Sequence, residues 1–397
     1  MNHDRTHNRI PELDGMRGLA ILLVLLWHYF AWPLFLGPFR PFNHPVASSM
    51  LAWLWSGVDL FFVLSGFHIG RILLEHRKAQ NYFQVFYLRR ATRIVPLYFL
   101  SLSLFVILFQ LCSYTAVQHC LQLLGGSDSL RLLFAVPWSV WSYFTFSQNI
   151  FMSFAQDLGP DWLAITWSLA VEAQFYLLLP VIVRFAPVRL LPYLLLTGCL
   201  IAPLVRIWLM GIPAFALLPC RMDSLFLGAL LAYLVRQTDF LDKVHRYRFV
   251  LSATFGVFLL AGLLWLDSGP FDPYNKSWLA VVWAGFLVMV LSGHSFIVRL
   301  LRVPWLIHLG LISYGVYLFH QPLNGLAHGF IRHSTPYDGS DPGVSLLALV
   351  VTLAIASILH RRIEFPLIRM GHRLTFKTPS DSPSGRQNDQ KCFLGGI

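Results

Sequence analysis

Charged residues are scarce: Asp, Glu, Lys and Arg make up 12% of the 397 residues, against about 25% in an ordinary soluble domain. That excludes a protein wrapped in a water-facing surface. Cysteine is scarce as well, with five in the chain, no C-x-x-C pair and no His/Cys group at zinc spacing. This excludes a disulfide framework, and no metal is expected. Cys112 and Cys120 fall close enough to share one loop, but free thiols are the expectation. Three signatures are also missing: G-x-x-x-x-G-K-[ST], G-x-S-x-G and H-E-x-x-H. Their absence sets aside a P-loop nucleotide hydrolase, a nucleophile-elbow hydrolase and a zinc protease, so any chemistry must rest on histidine and carboxylates.

What the chain has in abundance is apolar length. Hydrophobic residues account for 56% and gather near 17–34, 52–74, 94–112, 165–185, 190–210, 222–235, 249–266, 278–293, 304–322 and 343–361. A hydrocarbon core of about 30 Å takes about 20 helical residues, so the pattern predicts an all-α polytopic bundle of about ten spans. The first run follows the polar stretch "MNHDRTHNRIPELDGMR", lacks a small-residue cleavage site and is succeeded by many more spans. It reads as a retained helix rather than a signal peptide. The formal net charge of +11 does not point to nucleic acid, because the basic residues lie between apolar spans rather than on a soluble face. Membrane lipid is the partner that composition demands.

Loop charge orients the bundle, since cytoplasmic loops carry the excess of Lys and Arg. The second loop holds Arg71, Arg77, Lys78, Arg89, Arg90 and Arg93, which predicts a cytoplasmic N-terminus. If the aromatic stretch 132–151 does not cross, the later basic loops and the tail after Arg361 and Arg362 fall on the same side. Ten spans with both termini cytoplasmic are therefore expected, with 132–151 re-entrant or interfacial. Residues 1–373 form one membrane domain on this reading. The polar, Pro/Ser/Gly-bearing residues 374–397 read as a disordered cytoplasmic tail.

Polar residues inside such spans are expensive and so become functional candidates. Arg17 and His28 bound the run "RGLAILLVLLWH". Eleven residues at about 100° each bring both side chains to nearly one helix face, about 16 Å apart along the axis, so one wall of one cavity is expected to carry both. An inner layer holds Arg17, Arg71, Arg90, Arg93 and Glu364; arginines there suit a phosphate-bearing ligand, although positive-inside anchoring alone accounts for many of them. A second layer holds His28, Asp59, Glu172, Arg221, Asp223 and His320 from several different spans. Ser313, Tyr317 and His320 form a polar stripe at i, i+4 and i+7. Ser65, Gly57, Gly66 and Gly70 read as small packing residues.

The ordered motifs "LDGMRGLAILLVLLWH", "GVDLFFVLSGF", "RRATRIVPLY", "TWSLAVEAQFYLLLP", "RMDSLFLGALLA", "SYGVYLFHQP" and "IEFP" resemble the acyltransferase-3 family of integral membrane acyltransferases over about residues 9 to 370. The resemblance implies transfer of an acyl group, most often acetyl from acetyl-CoA, to a hydroxyl of a carbohydrate or other envelope or secreted acceptor, at a bacterial cytoplasmic membrane. It implies acyl-CoA as co-substrate with no bound cofactor, and a stand-alone form without the soluble hydrolase-like domain that many members append. His28 takes the family's catalytic position, Arg17 its basic partner, and Arg90 and Arg93 the Arg-x-x-Arg element directed at the donor. Glu172 takes the glutamate position of the Trp-Ser-Leu motif, with Ala173 where a second glutamate is common, and Arg221 and Asp223 take the Arg-x-Asp element. His68 after "SGF" is an unusual residue and reads as packing.

On this basis His28 acts as general base or transient acyl carrier, Glu172 is expected to orient the imidazole, and the acceptor enters from the outer side. The competing reading is a proton-coupled exporter, because mid-membrane His and carboxylates also build proton relays.

Overall fold

The computed structural model describes residues 10–31, 33, 53–112, 133–134, 138–237, 239–265, 274–293, 295–332 and 341–377. Every regular element among them is helical. We number the ten main helices α1 (Pro11–Leu26), α2 (Gly57–Glu75), α3 (Tyr82–Cys112), α4 (Thr166–Phe185), α5 (Leu191–Leu209), α6 (Met222–Leu234), α7 (Arg248–Trp265), α8 (Asn275–Leu291), α9 (Pro304–Arg332) and α10 (Pro342–Leu359). Each covers one of the apolar runs. Among the described residues six helical stretches are long and apolar enough to cross a membrane, or seven if α7 and the short helix before it, bent by 78°, form one span. The chain is thus a multi-pass membrane protein. The helices outside that set are instructive: α6 and α8 are short, while α9 is long but carries His308, Ser313, Tyr317, His320, Gln321, Asn324 and His328 along its apolar length.

Between 138 and 155 the chain forms two short helices, Trp141–Phe144 and Gln148–Ala155. Eight residues of helix reach about 12 Å, too little to span. Residues 374–377, where the tail was expected to begin, run against the α2–α3 turn. Arg89 donates to Leu374 O at 2.6 Å, Asn81 donates to Thr375 O at 2.9 Å, and Phe376 stacks on His76. The rest of the expected tail, 378–397, lies outside the described residues, as do Cys120 and the side chain of Cys112. Cys199 and Cys220 are free thiols.

Small residues set the two closest crossings. On α1 against α9, a Cβ on Gly18 would strike Leu306 O and one on Gly310 would strike Asp14 O. On α2 against α6, a Cβ on Gly66 would strike Leu225 O and one on Gly228 would strike Val63 O. Reciprocal glycines let backbones approach where lipid gives helices no hydrophobic reason to associate. These crossings bring together the faces of α1, α2 and α9 that carry Arg17, Asp59, Ser65, Tyr317 and His320.

Candidate active site

At Trp27–Ala31 the first helix widens into a π turn, a distortion that re-aims side chains and recurs at functional sites. His28 is its second residue. His28 Nδ1 lies 2.9 Å from Val24 O and 3.3 Å from His320 Nε2, and His320 Nδ1 lies 2.7 Å from Tyr317 O. Carbonyl oxygens only accept, so each Nδ1 carries its hydrogen. His320 Nε2 is then an acceptor for the His28 N–H, and His28 Nε2 is left with a bare lone pair and no hydrogen bond among the described residues. Tyr29, the next residue, locks the arrangement by donating to His320 O at 2.9 Å.

His28 lines a cavity of about 1320 Å³, mouth included, together with Trp55, Asp157, Asp161, Trp167, Phe215, Arg221 and Gln321. Arg17 does not line it. It lies in a second cavity of about 810 Å³, mouth included, with Ser65, His68, Arg90, Arg93, Glu172, Tyr176 and Tyr314. The expectation of one cavity is therefore corrected: three turns of helix separate Arg17 and His28, enough to put them in two chambers. The chambers abut, because Val58 and Tyr317 line both. Tyr317 donates to Ile165 O at 3.1 Å and its oxygen is 2.7 Å from Ser168 Oγ, so the phenol is tied to α4 at the divide.

Glu172 is likewise placed differently from expectation. It accepts from Ser65 Oγ at 2.5 Å and from the Tyr176 hydroxyl, inside the arginine cavity, and it makes no hydrogen bond to His28. Among the described residues His28 has no carboxylate partner; its orienting group is His320. Arg17 pairs with Asp14 at 2.9 Å, and Arg90 is 9% exposed while still lining the cavity. Glu364 is buried against His360, 2.8 Å away, and like Arg71 lines neither cavity. It braces a second π turn, His360–Glu364.

The remaining candidates form buried ion pairs beside the histidine cavity. Arg221 donates to Asp59 at 2.7 Å, and Asp223 pairs with Arg206 at 2.7 Å and accepts from Ser277. Arg221 also stands over the rings of Phe62 and Trp167. Ser65, His68, Tyr176, Arg206 and Lys276 were not singled out as site residues from the sequence, although Ser65 lies about two helical turns from Val58 and His68 about one from Leu64 on the cavity face of α2. Lys276 sits at the start of an apolar run and carried no signal at all.

The chain matches the family model described as "Acyltransferase domain" over residues 10–361. It is 26% identical over 386 residues to the O-acetyltransferase OatA of Staphylococcus aureus, covering 92% of this chain and 58% of that protein. It is 27% identical over 395 residues to the peptidoglycan O-acetyltransferase OatA of Listeria monocytogenes, covering 93% and 57%. The putative peptidoglycan O-acetyltransferase YrhL of Bacillus subtilis is 28% identical over 404 residues, covering 94% and 57%. The chain thus spans less than two thirds of these relatives' length. No solved structure matches it. With the family model covering nearly all the helices that build both cavities, the chain belongs to the acyltransferase-3 family of integral membrane acyltransferases.

Proposed function

We propose that this chain is an O-acyltransferase that moves an acetyl group from acyl-CoA on the cytosolic side of a bacterial membrane to a hydroxyl of a cell-wall glycan on the other. The observation that carries the reading is the abutment of the two cavities at Val58 and Tyr317. Three arginines in one chamber suit the phosphates of the donor. The bare Nε2 of His28 in the other suits proton removal from a hydroxyl. The positive-inside distribution of the loops supports the arginine cavity facing the cytosol.

In this reading the pantetheine arm lies along the arginine cavity and its thioester reaches the divide. His28 Nε2 takes the acceptor's hydroxyl proton, the alkoxide oxygen attacks the thioester carbonyl, and the C–S bond breaks. The CoA thiolate leaves and is reprotonated by the imidazolium, so the transfer is balanced without an external acid. His320, by accepting from Nδ1, keeps the basic nitrogen on the cavity side. The names of the relatives, peptidoglycan O-acetyltransferases among them, support a glycan acceptor.

The test is acetyl transfer from labelled acetyl-CoA to cell-wall glycan by purified full-length protein in lipid nanodiscs. His28→Ala should lower the rate by about 10²–10⁴, the usual worth of a general base. An unchanged rate at normal folding removes the mechanism, and glycan flux across vesicles without acyl chemistry in the wild type would favour an exporter instead.

A further inference from the structure

Arg221 is 1% exposed, yet it lines the histidine cavity. Its Nη2 is committed to Asp59, while Nε and Nη1 have no hydrogen-bond partner among the described residues. Leaving such donors unmade inside a protein is costly, and more so for a charged group. The aromatic rings of Phe62, Trp167 and Phe215 hold the guanidinium from 5.3 to 5.9 Å, which fixes the plane but supplies no acceptor. A second buried cation is next to it: Lys276, also 1% exposed, has its Nζ 3.2 Å from the Trp55 ring centroid and 5.3 Å from that of Phe215, with no hydrogen bond among the described residues. Trp55 and Phe215 both line the same cavity. Asp59 accepts from Arg221 and from Ser224 Oγ on the same oxygen and makes no hydrogen bond to Lys276, so one of the two cations has no hydrogen-bonded counter-charge among the described residues.

Resting on the acyl-transfer reading above, we infer that the histidine cavity holds its acceptor by an anionic group, a carboxylate or a phosphate, docked on the free N–H groups of Arg221 with Lys276 adding field. Charge-assisted hydrogen bonds from a guanidinium are about twice as strong as neutral ones, and the low dielectric of a membrane interior strengthens them further. A neutral hydroxyl would satisfy the donors without balancing the charge. The anion would hold the acceptor in the cavity that His28 lines, and its hydroxyl would be delivered to Nε2. The carboxylates Asp157 and Asp161 line the same cavity and repel an anion where they stand, so the docking position is the one Arg221 marks.

Binding to the full chain in nanodiscs tests this with three sugars that share a ring: N-acetylglucosamine, N-acetylmuramic acid, which adds a carboxylate, and N-acetylglucosamine 1-phosphate. At least one of the charged sugars should bind about tenfold or more tightly than the neutral one. Preference for the carboxylate assigns the anion to the sugar itself, and preference for the phosphate assigns it to a carrier linkage. Arg221→Gln should abolish the preference and Lys276→Met should weaken it; the wild-type comparison decides even if Arg221→Gln fails to fold. Equal affinities for all three, absent binding of all three, or a preference surviving both substitutions overturns the inference. Acetyl transfer with no anion preference would leave the acyl-transfer reading standing without it, and anion-selective binding without transfer would do the reverse.

Discussion

Removing the Tyr317 hydroxyl should make the enzyme leak. In the reading above, Tyr317 and Val58 are the partition between a donor chamber and a chamber open to the acceptor side, and water that reaches the thioester wastes it by hydrolysis. The phenol is held by two contacts, a donated bond to Ile165 O at 3.1 Å and a 2.7 Å contact with Ser168 Oγ. Tyr317→Phe removes both and leaves the ring. A net contribution of about 0.5–1.5 kcal/mol for each neutral hydrogen bond makes the closed ring position about 1–3 kcal/mol less favoured. Since about 1.4 kcal/mol is tenfold, open states should rise roughly 5- to 150-fold. Without the phenol, the one hydrogen of the Ser168 hydroxyl turns to Ile165 O, 3.0 Å away, so the lower half of that range is expected. Tyr317→Ala removes the ring as well and should exceed it. The assay is release of free CoA thiol from acetyl-CoA in the absence of acceptor, read against thermal stability in the same nanodiscs. Thiol release at the wild-type rate in both folded variants would refute the partition.

Three further outcomes follow from the same geometry. His320→Ala, which frees His28 Nδ1 from one of its two acceptors, should lower kcat by about tenfold, the worth of about one hydrogen bond. It should leave the KM for acetyl-CoA within about twofold, and a larger effect on KM than on kcat would contradict the tautomer argument. Glu172→Gln keeps an oxygen for Ser65 and Tyr176 and should retain clearly more activity than Glu172→Ala; equal losses in kcat/KM would mean that the carboxylate charge, not its acceptor role, is what the site needs. Gly228→Val drives a side chain into Val63 O at the α2–α6 crossing and should destabilise by about 1–3 kcal/mol or more, the range for overpacking. Gly256→Val, where a Cβ meets nothing within 4 Å, is its control, and equal melting temperatures for the two would sink the close-approach argument.

The sequence was legible where a single helix decides the matter. Apolar runs located the ten helices, and the price of intramembrane charge singled out Arg17, Arg90, Arg93, Arg221 and His28, all of which line a cavity. It was misleading where partners come from different helices. Glu172 was expected beside His28 because both are ionisable groups within spans, but depth along a helix does not fix which neighbour a side chain meets. Ser65 and Tyr176 claim the carboxylate from α2 and from one turn along α4. Glu364 looked like a ligand-facing acid until its neighbour four residues back took it. Ser65 looked like packing because serine beside glycine usually is.

The same limit explains why two chambers were read as one. Helical arithmetic along α1 gave the right face for Arg17 and His28, but whether a face opens into one space or two depends on what α2 and α9 place against it. The divide is built by Val58 on α2 and Tyr317 on α9, residues 259 positions apart that both line the two cavities. A valine near the start of an apolar helix carries no functional signal by itself. The tyrosine did, as part of the Ser313–Tyr317–His320 stripe, and each member of that stripe has a separate task. Ser313 lines the arginine cavity, Tyr317 stands between the chambers, and His320 holds the imidazole of His28. The stripe thus runs from one chamber to the other. On the proposed reading that stripe links the donor chamber to the acceptor chamber, where the two substrates have to meet.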